Sequence, residues 1–286
     1  MKISRTISLI VMLLLCAGAA QAGPYASGTG TNEGGTIDQG IRSTDPRIVG
    51  WVSDVVDYSL SHQLASVTPN SAAIIGPYKG AFFILGDMDR DHIDAYLEDP
   101  VNNRGPGYVT VTFEFPIMNG EGPDFAVFEN AFGSGGGVFA ELAYVEVSTN
   151  GIDFARFPSI SLTTGLVGGY GTIDGSNVYN LAGKHISGYG TPFNLNDLEG
   201  HELVLSGVVK LDEVWFVRIV DIPGSGDFKD SLGNPIYDAW LTFGTGGFDF
   251  TGLGVLHFNY DWNVPEPATM SLLTLGALAL VRRNRR

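Results

Sequence analysis

The feature that most limits the fold is a succession of short apolar segments separated by glycine and proline. Residues 108–115 have one apolar and one polar face, the period of two typical of a half-buried strand. Residues 143–148 alternate in the same way and are followed by Asn150-Gly151, a strong hairpin signal. No long segment keeps a 3.6-residue apolar period, and 39 glycines and 14 prolines interrupt the chain. The pattern predicts an all-β protein, an antiparallel sandwich or barrel with long loops.

Other segments complete this prediction. Further strands are expected at 125–128, 203–209, 214–220 and 253–258. Residues 48–56 begin the ordered region, 82–85 form a short apolar run, and one or two helical turns are expected at 89–97. Residues 23–47 are rich in glycine, serine and threonine, which favours a flexible N-terminal arm. We therefore expect one β-domain over residues 48–262.

The first 22 residues have the pattern of a signal peptide. Lys2 and Arg5 precede an apolar run, and Ala20-Gln21-Ala22 is an A-x-A cleavage site for signal peptidase. The alternative is an uncleaved anchor, for which the run is short against the ~20 residues that span a bilayer. The single cysteine, Cys16, would leave with this segment, so the mature chain would hold no disulfide.

The last segment, residues 263–286, has three parts in order. Pro265-Glu266-Pro267 precedes the apolar residues 268–281, and arginines end the chain at 282, 283, 285 and 286 (Arg282, Arg283, Arg285, Arg286). As a helix, the apolar part would be only about 20 Å long, short for a hydrocarbon core of ~30 Å. This predicts a short apolar helix that anchors the chain transiently in the inner membrane, with the arginines on the cytoplasmic side.

The order of these three parts resembles the PEP-CTERM sorting signal of Gram-negative bacteria. The resemblance implies cleavage near Pro265-Glu266-Pro267 by an exosortase-type membrane protease. It also implies export to the cell surface or to the extracellular polysaccharide of a biofilm matrix. A plain C-terminal membrane tail is the alternative.

Five runs in the body resemble a family of bacterial cell-surface proteins that is similar to jelly-roll carbohydrate-binding and discoidin-like modules. They are GEGPDFAVFEN (120–130), AYVEVSTNG (143–151), YNLAGK (179–184), VRIVD (217–221) and GFDF (247–250). The resemblance implies a jelly-roll-like β-sandwich and a location at the cell surface.

The net charge of residues 23–262 limits the classes of molecule that this part of the chain can attract. Lys2, Arg5, the four terminal arginines and Glu266 belong to the two ends, which leaves ten basic and thirty acidic residues, a net charge of −20. Such a body has no electrostatic attraction for nucleic acid or an anionic membrane surface. It does attract divalent cations.

Acidic and amide side chains recur at the ends of the predicted strands. Ca²⁺ takes six to eight oxygen ligands of this kind, so we expect one or two structural Ca²⁺ sites. The alternative is ordinary turn chemistry, because Asp and Asn favour turns, and the 230–238 loop lacks the EF-hand spacing. The candidate ligands are Asp124, Glu129, Asn130, Asp221, Asp230, Asn234, Asp238 and Asp249.

Aromatic residues in glycine-rich or loop contexts are candidates for stacking against sugar rings. Packing in the core is the alternative for each of them. The candidates for a ligand-binding role are Tyr170, Tyr189, Tyr237 and Trp240, with Trp262 in a similar context.

Catalytic signatures are absent from the sequence. It contains no G-x-S-x-G, H-E-x-x-H or P-loop motif, and its five histidines show no close ligand spacing. The leading hypothesis is a non-enzymatic exported surface or matrix protein that binds glycan or exopolysaccharide, with Ca²⁺ holding its loops. The alternatives are a secreted carbohydrate-active enzyme with a carboxylate pair, for which Glu129 and Glu146 are the first candidates, and a purely structural coat protein.

Overall fold

A computed structural model describes residues 23–30, 37–64, 67–243 and 246–262. The predicted signal segment with Ala20 and Ala22 lies outside the described residues. So does the predicted sorting tail, with Pro265, Glu266, Pro267 and the terminal arginines. Within the described ranges, no helix has both the length and the apolar character needed to cross a bilayer.

Strands predominate over helices in the regular secondary structure of the described residues, which confirms an all-β fold. The strands are β1 (Ile41–Arg42), β2 (Gly50–Trp51), β3 (Asp54–Ser59), β4 (Phe83–Ile84), β5 (Tyr108–Ile117), β6 (Phe125–Phe128), β7 (Phe132–Ser134), β8 (Gly137–Phe139), β9 (Ala143–Ser148), β10 (Ala155–Arg156), β11 (Ile160–Ser161), β12 (Val178–Tyr179), β13 (Tyr189–Phe193), β14 (Val214–Asp221), β15 (Asp249–Phe250) and β16 (Gly252–Val255). The α-helices are α1 (Arg90–Glu98) and α2 (Glu202–Leu205), and 3-10 turns occupy His62–Leu64, Ser71–Ala73, Gly175–Asn177 and Leu195–Leu198.

Two five-stranded antiparallel sheets contain most of the strands. Their orders are β1-β13-β6-β16-β2 and β10-β9-β14-β5-β3. The alternating apolar residues of β5, β9 and β14 enter the same buried cluster as residues of β6, β13 and β16. Three short two-stranded sheets, β4 with β15, β7 with β8 and β11 with β12, lie outside the two large ones.

Stacked aromatic rings lie in this shared core. Phe125 of β6 stacks on Phe193 of β13 with ring centroids 5.4 Å apart, and Phe157 meets both rings edge-on at 5.9 and 5.0 Å. All three side chains are fully buried. Burial of each ring contributes about 3 kcal/mol, and the ring geometry adds about 1 kcal/mol per pair.

The segment expected to be a flexible arm, residues 23–47, is packed onto the body where it is described. Ile41 is buried, and β1 adds itself to β13 at the edge of a large sheet. Asp38 forms a buried ion pair with the fully enclosed Lys184, at 2.6 Å. Its glycine- and serine-rich composition suggested flexibility, but these distant contacts hold it in place.

The strand predicted at 203–209 is wrong, because the chain there forms α2. The His201 side chain caps α2 by accepting a hydrogen bond from the Leu203 amide. Gly207 then turns the chain with a φ of +75°, a backbone conformation that a continuing strand cannot adopt. A short apolar run could not distinguish one helical turn from a buried strand.

Candidate functional site

Six buried carboxylates lie close enough to one another to interact electrostatically. Each has at most 6 % of its surface exposed. None of them forms an ion pair with a Lys, Arg or His side chain among the residues that the structure describes. We call them the acid cluster: Asp87, Glu129, Glu141, Asp221, Asp238 and Asp249.

Backbone amides hold the acid cluster together. The Leu142 amide donates to Asp238 Oδ2 at 2.6 Å, and the Phe248 amide donates to Asp221 Oδ1 at 2.7 Å. The Gly247 amide donates to Glu141 Oε1 at 2.8 Å. Gly247 has a φ of +78°, and a Cβ there would lie 2.5 Å from the backbone of Gly86, so only glycine lets these two loops approach so closely.

Burial and mutual repulsion favour the protonated form of these acids. Burial, followed by the charge of Asp249, raises the pKa of Glu141 to about 8. Burial raises the pKa of Asp249 to about 7 and that of Asp87 to about 6. It also places the pKa of Glu129, Asp221 and Asp238 well above the usual value. Part of the acid cluster therefore holds protons at neutral pH.

Two oxygens of the acid cluster lack a hydrogen-bond partner among the described residues. They are Asp221 Oδ2 and Asp249 Oδ1, and both are buried. The other oxygen of each residue is engaged, by the Phe248 amide and by Asn130 Nδ2 respectively. A buried carboxylate oxygen without a donor is costly, so these two atoms are suited to accept a ligand's proton or to contact a cation.

A cleft of about 230 Å³ opens above part of the acid cluster. Its polar floor is formed by Asn130, Glu141, Thr242 and Asp249, and aromatic rings form its rim. We call it the acid cleft. The rim rings are Phe132, Phe139, Tyr170 and Phe243.

The rim is exposed to a degree that is unusual for aromatic residues. Tyr170 is 86 % exposed, Phe243 71 % and Phe132 54 %. Phe132 of β7 stacks on Phe139 of β8 with ring centroids 4.7 Å apart. The rings therefore surround an acidic floor without being packed into the core, an arrangement typical of ligand sites with apolar walls and few polar groups.

The structure brings together five of the eight predicted metal-site residues. Glu129, Asp221, Asp238 and Asp249 belong to the acid cluster, and Asn130 donates to Asp249 Oδ2 at 2.8 Å. The remaining three are placed elsewhere.

Asp124, Asp230 and Asn234 have local structural roles. Asp124 is fully buried, accepts hydrogen bonds from the Gly120 and Leu195 amides, and faces His257 at 2.8 Å. Asp230 Oδ1 accepts from the Leu232 and Asn234 amides, and Asn234 Nδ2 donates to Asp230 Oδ2. The turn chemistry considered as an alternative accounts for Asp230 and Asn234.

Asp87 and Glu141 belong to the acid cluster although the sequence did not single them out. Asp87 follows Gly86 directly after the short apolar run at 82–85, a signal of the kind that identified the other candidates. Glu141 precedes β9 without a turn residue beside it, so no local pattern indicated its role.

Of the predicted ligand-binding aromatics, Tyr170 lines the acid cleft. Tyr189 lies beneath the guanidinium of Arg42, and Tyr237 lines a separate groove beside Pro235. Trp240 donates from its indole nitrogen to the Met88 carbonyl at 2.8 Å.

Trp262 packs edge-on against Trp215, with ring centroids 5.6 Å apart. The exposed rings Phe132 and Phe243 were missed because neither lies in a strongly patterned segment.

The two glutamates considered as a catalytic pair have different surroundings. Glu129 is fully enclosed and interacts with Glu141 and Asp249. Glu146 of β9 forms an ion pair with Arg156 at 2.7 Å. They share no partner through which they would act on one substrate.

One further group of titratable side chains has the spacing of metal ligands. His62, Asp89 and His92 each offer one ligand atom, and these atoms all lie within 4.8 Å of one another. Among the described residues this is the only set of three His, Cys, Asp or Glu side chains with that spacing. The sequence did not predict it, because 27 residues separate His62 from Asp89.

Comparison with known families confirms the sorting signal predicted at the C-terminal end of the chain. Residues 263–286 match the PEP-CTERM protein-sorting motif. The motif identifies an exported, cell-surface-directed bacterial protein that exosortase processes during export. No curated protein matches the sequence significantly.

Proposed function

We propose that this surface-sorted protein binds glycan, without catalysis, through the acid cleft, and that its two large sheets form a jelly-roll-like sandwich that carries the cleft. The observation that supports this proposal is the combination of a polar floor with exposed rim rings. Sugar rings present apolar faces that stack on aromatic side chains, and their hydroxyls can donate to carboxylates such as Asp249.

The sorting motif gives this proposal its setting. In this proposal the protein is delivered to the surface of a Gram-negative bacterium, where binding to exopolysaccharide would hold it in the extracellular matrix. A body with 30 acidic and 10 basic residues between the two ends would favour neutral or cationic polymers over strongly anionic ones.

A polysaccharide retention assay with the full chain tests the glycan proposal. Wild-type protein should be retained on at least one polymer, including the host's own. Tyr170→Ala should weaken retention up to about tenfold, if stacking of a sugar ring on Tyr170 contributes as much as an aromatic pair does, about 0.5–1.5 kcal/mol. Tyr260→Ala removes a ring that is 59 % exposed outside the cleft and should leave retention unchanged. No retention on any polymer would remove the proposal.

Ca²⁺ is the cofactor in this proposal. The support is a group of buried carboxylates with unpartnered oxygens at Asp221 and Asp249. No three carboxylates of the described residues have oxygens within 4.8 Å of one another. The ion would therefore use these two with backbone carbonyl and water oxygens to reach its six to eight ligands.

Thermal unfolding tests the Ca²⁺ part separately. Millimolar Ca²⁺ should raise Tm and a chelator should lower it, because an ion that binds only the folded state stabilises it. Asp221→Asn should abolish the rise, whereas Asp230→Asn, in a separate turn, should preserve it. A Tm insensitive to both Ca²⁺ and chelator rejects the ion.

A specific observation also favours a second function, a secreted carbohydrate-active enzyme. Glu141 and Asp249 lie on the floor of one cleft with pKa values of about 8 and about 7. A general acid in glycoside hydrolysis needs such a raised pKa. Release of reducing sugar from a polysaccharide panel, lost in Glu141→Gln, would establish this function. Retention of the protein on a polymer without release of reducing sugar would reject the enzyme and support glycan binding.

A further inference from the structure

The strongest unassigned feature is the trio His62, Asp89 and His92. His62 lies in a 3-10 turn, and Asp89 and His92 lie at the start of α1, so two distant parts of the chain meet here. Asp89 Oδ2 lies 3.1 Å from His62 Nε2, and Asp89 Oδ1 lies 2.7 Å from His92 Nδ1. One carboxylate therefore faces one nitrogen of each imidazole.

The two imidazoles are unusually close to each other. Their rings are nearly parallel, with an interplanar angle of 8° and centroids 3.4 Å apart. This stacking brings the two rings together on one side of the Asp89 carboxylate. Burial and then the neighbouring His92 lower the pKa of His62. The hydrogen bonds that Asp89 accepts from His92 lower the pKa of Asp89.

Helix capping explains only part of this arrangement. Asp89 is the N-cap of α1 and accepts a hydrogen bond from the His92 amide at 3.0 Å. That role requires neither a second imidazole from 27 residues away nor the stacking of the two rings. A cap residue at this position would serve equally well as Ser or Asn.

We propose that His62 Nε2, Asp89 and His92 Nδ1 form a binding site for a divalent transition-metal ion of the Zn²⁺ class. Two imidazole nitrogens and one carboxylate are ligands that Zn²⁺ and its neighbours Co²⁺, Ni²⁺ and Cu²⁺ prefer. Ca²⁺ and Mg²⁺ prefer all-oxygen sites. On binding, the nitrogen of each imidazole that now faces Asp89 must give up the proton it shares with the carboxylate, either to the other nitrogen of the ring or to solvent.

The exposure of the trio gives an ion both access and open coordination positions. The side chains of His62, Asp89 and His92 are 17, 38 and 47 % exposed. Three protein ligands leave a fourth position for water, as in open zinc sites. Arg104 is a cationic neighbour of His62, and its guanidinium donates to the Leu60 carbonyl at 2.8 Å.

Bound metal would join the 3-10 turn at His62–Leu64 to the segment that enters α1. This segment also contains Asp87 of the acid cluster and Met88, whose carbonyl accepts from Trp240. The site is separate from the acid cleft and does not depend on the proposed glycan binding.

Calorimetric titration of the full chain, purified in mild detergent without a polyhistidine tag, tests the site with ZnCl₂. We expect one Zn²⁺ per chain, a visible d–d spectrum with Co²⁺, and a higher Tm with metal. Affinity should fall at least tenfold in Asp89→Asn and in His92→Ala. Asp89→Asn is informative because Asn remains a good N-cap, so the fold is kept while the anionic ligand is lost.

The matched control is His201→Asn, which removes an imidazole from another helix N-cap and should bind Zn²⁺ as the wild type does. Absence of Zn²⁺ binding overturns the proposal. So does binding that persists undiminished in either Asp89→Asn or His92→Ala, because the ion would then lie elsewhere. A Tm that changes in the variants without any effect of metal assigns the trio to helix capping alone.

Discussion

Glu141→Gln tests the electrostatic character of the acid cluster most directly. The Glu141 side chain is 6 % exposed, and its pKa is raised from 4.5 to about 8, first by burial and then by Asp249. At roughly 1.4 kcal/mol per pH unit, this difference corresponds to an upper limit of about 5 kcal/mol.

The direction in which stability changes with pH follows from the proton that Glu141 binds. Between pH 4.5 and about 8 the folded state holds the Glu141 proton more tightly than the unfolded state, so stability decreases as pH rises through this window. The contribution is favourable below pH 4.5 and is lost above about pH 8. Gln carries no charge at any pH, and its amide oxygen can still accept the hydrogen bond from Gly247.

Urea unfolding of wild type and variant, followed by tryptophan fluorescence with EDTA present, measures this difference. The two should be within about 1 kcal/mol at pH 5, and the variant should be at least ~2 kcal/mol more stable at pH 8.5, about half of the upper limit, because water can enter through the cleft. Glu146→Gln is the matched control, since Glu146 has Arg156 as its cationic partner and should lose stability at both pH values. A Glu141→Gln variant with no stability gain from pH 5 to pH 8.5 would refute the reasoning.

Three further substitutions test the fold by urea unfolding. Phe193→Ala should cost about 3–5 kcal/mol because it opens a cavity within the stacked rings; a cost below 1 kcal/mol would contradict this packing. Lys184→Ala should cost about 3–5 kcal/mol because it leaves Asp38 buried without its cation, and a neutral result would show that the ion pair is not formed. Gly247→Ala should cost at least ~1 kcal/mol, since φ is +78° and the new Cβ would meet the backbone of Gly86; an unchanged midpoint would contradict the close approach of the loops.

The spacing of apolar residues along the sequence correctly predicted several strands of the two large sheets. The alternating segments became β5 and β9, and the run at 125–128 became β6, because apolar side chains of each strand enter the core. Every residue of β6 and β9 is buried, so these two strands are covered on both faces. The sequence did not predict β13, which reads Tyr-Gly-Thr-Pro-Phe. Glycine and proline argue against a strand there, but pairing with β1 and β6 on either side overrides this local preference.

The sequence likewise indicated some residues of the candidate site but not how they come together. Acidic residues at strand ends could be recognised, but their convergence depends on loops such as 86–87 and 246–249 meeting across the fold, and no local pattern encodes that contact. For the same reason the spacing of the histidines gave no indication of His62 beside His92. Their approach follows from where the start of α1 meets the 3-10 turn at His62–Leu64.

Hydrogen bonding alone does not explain why the acid cluster consists of carboxylates. Asp238, Asp221 and Glu141 accept backbone amides, and the amide oxygen of Asn or Gln could accept the same donors without the cost of a buried charge. Carboxylates differ from amides in two respects: they can bind a cation, and they can exchange a proton near neutral pH. The oxygens of Asp221 and Asp249 that lack a partner among the described residues leave both uses open to a ligand. A chain with a single cysteine forms no internal disulfide, and folded proteins are only marginally stable, so we expect one of these uses to compensate for the burial of six such groups.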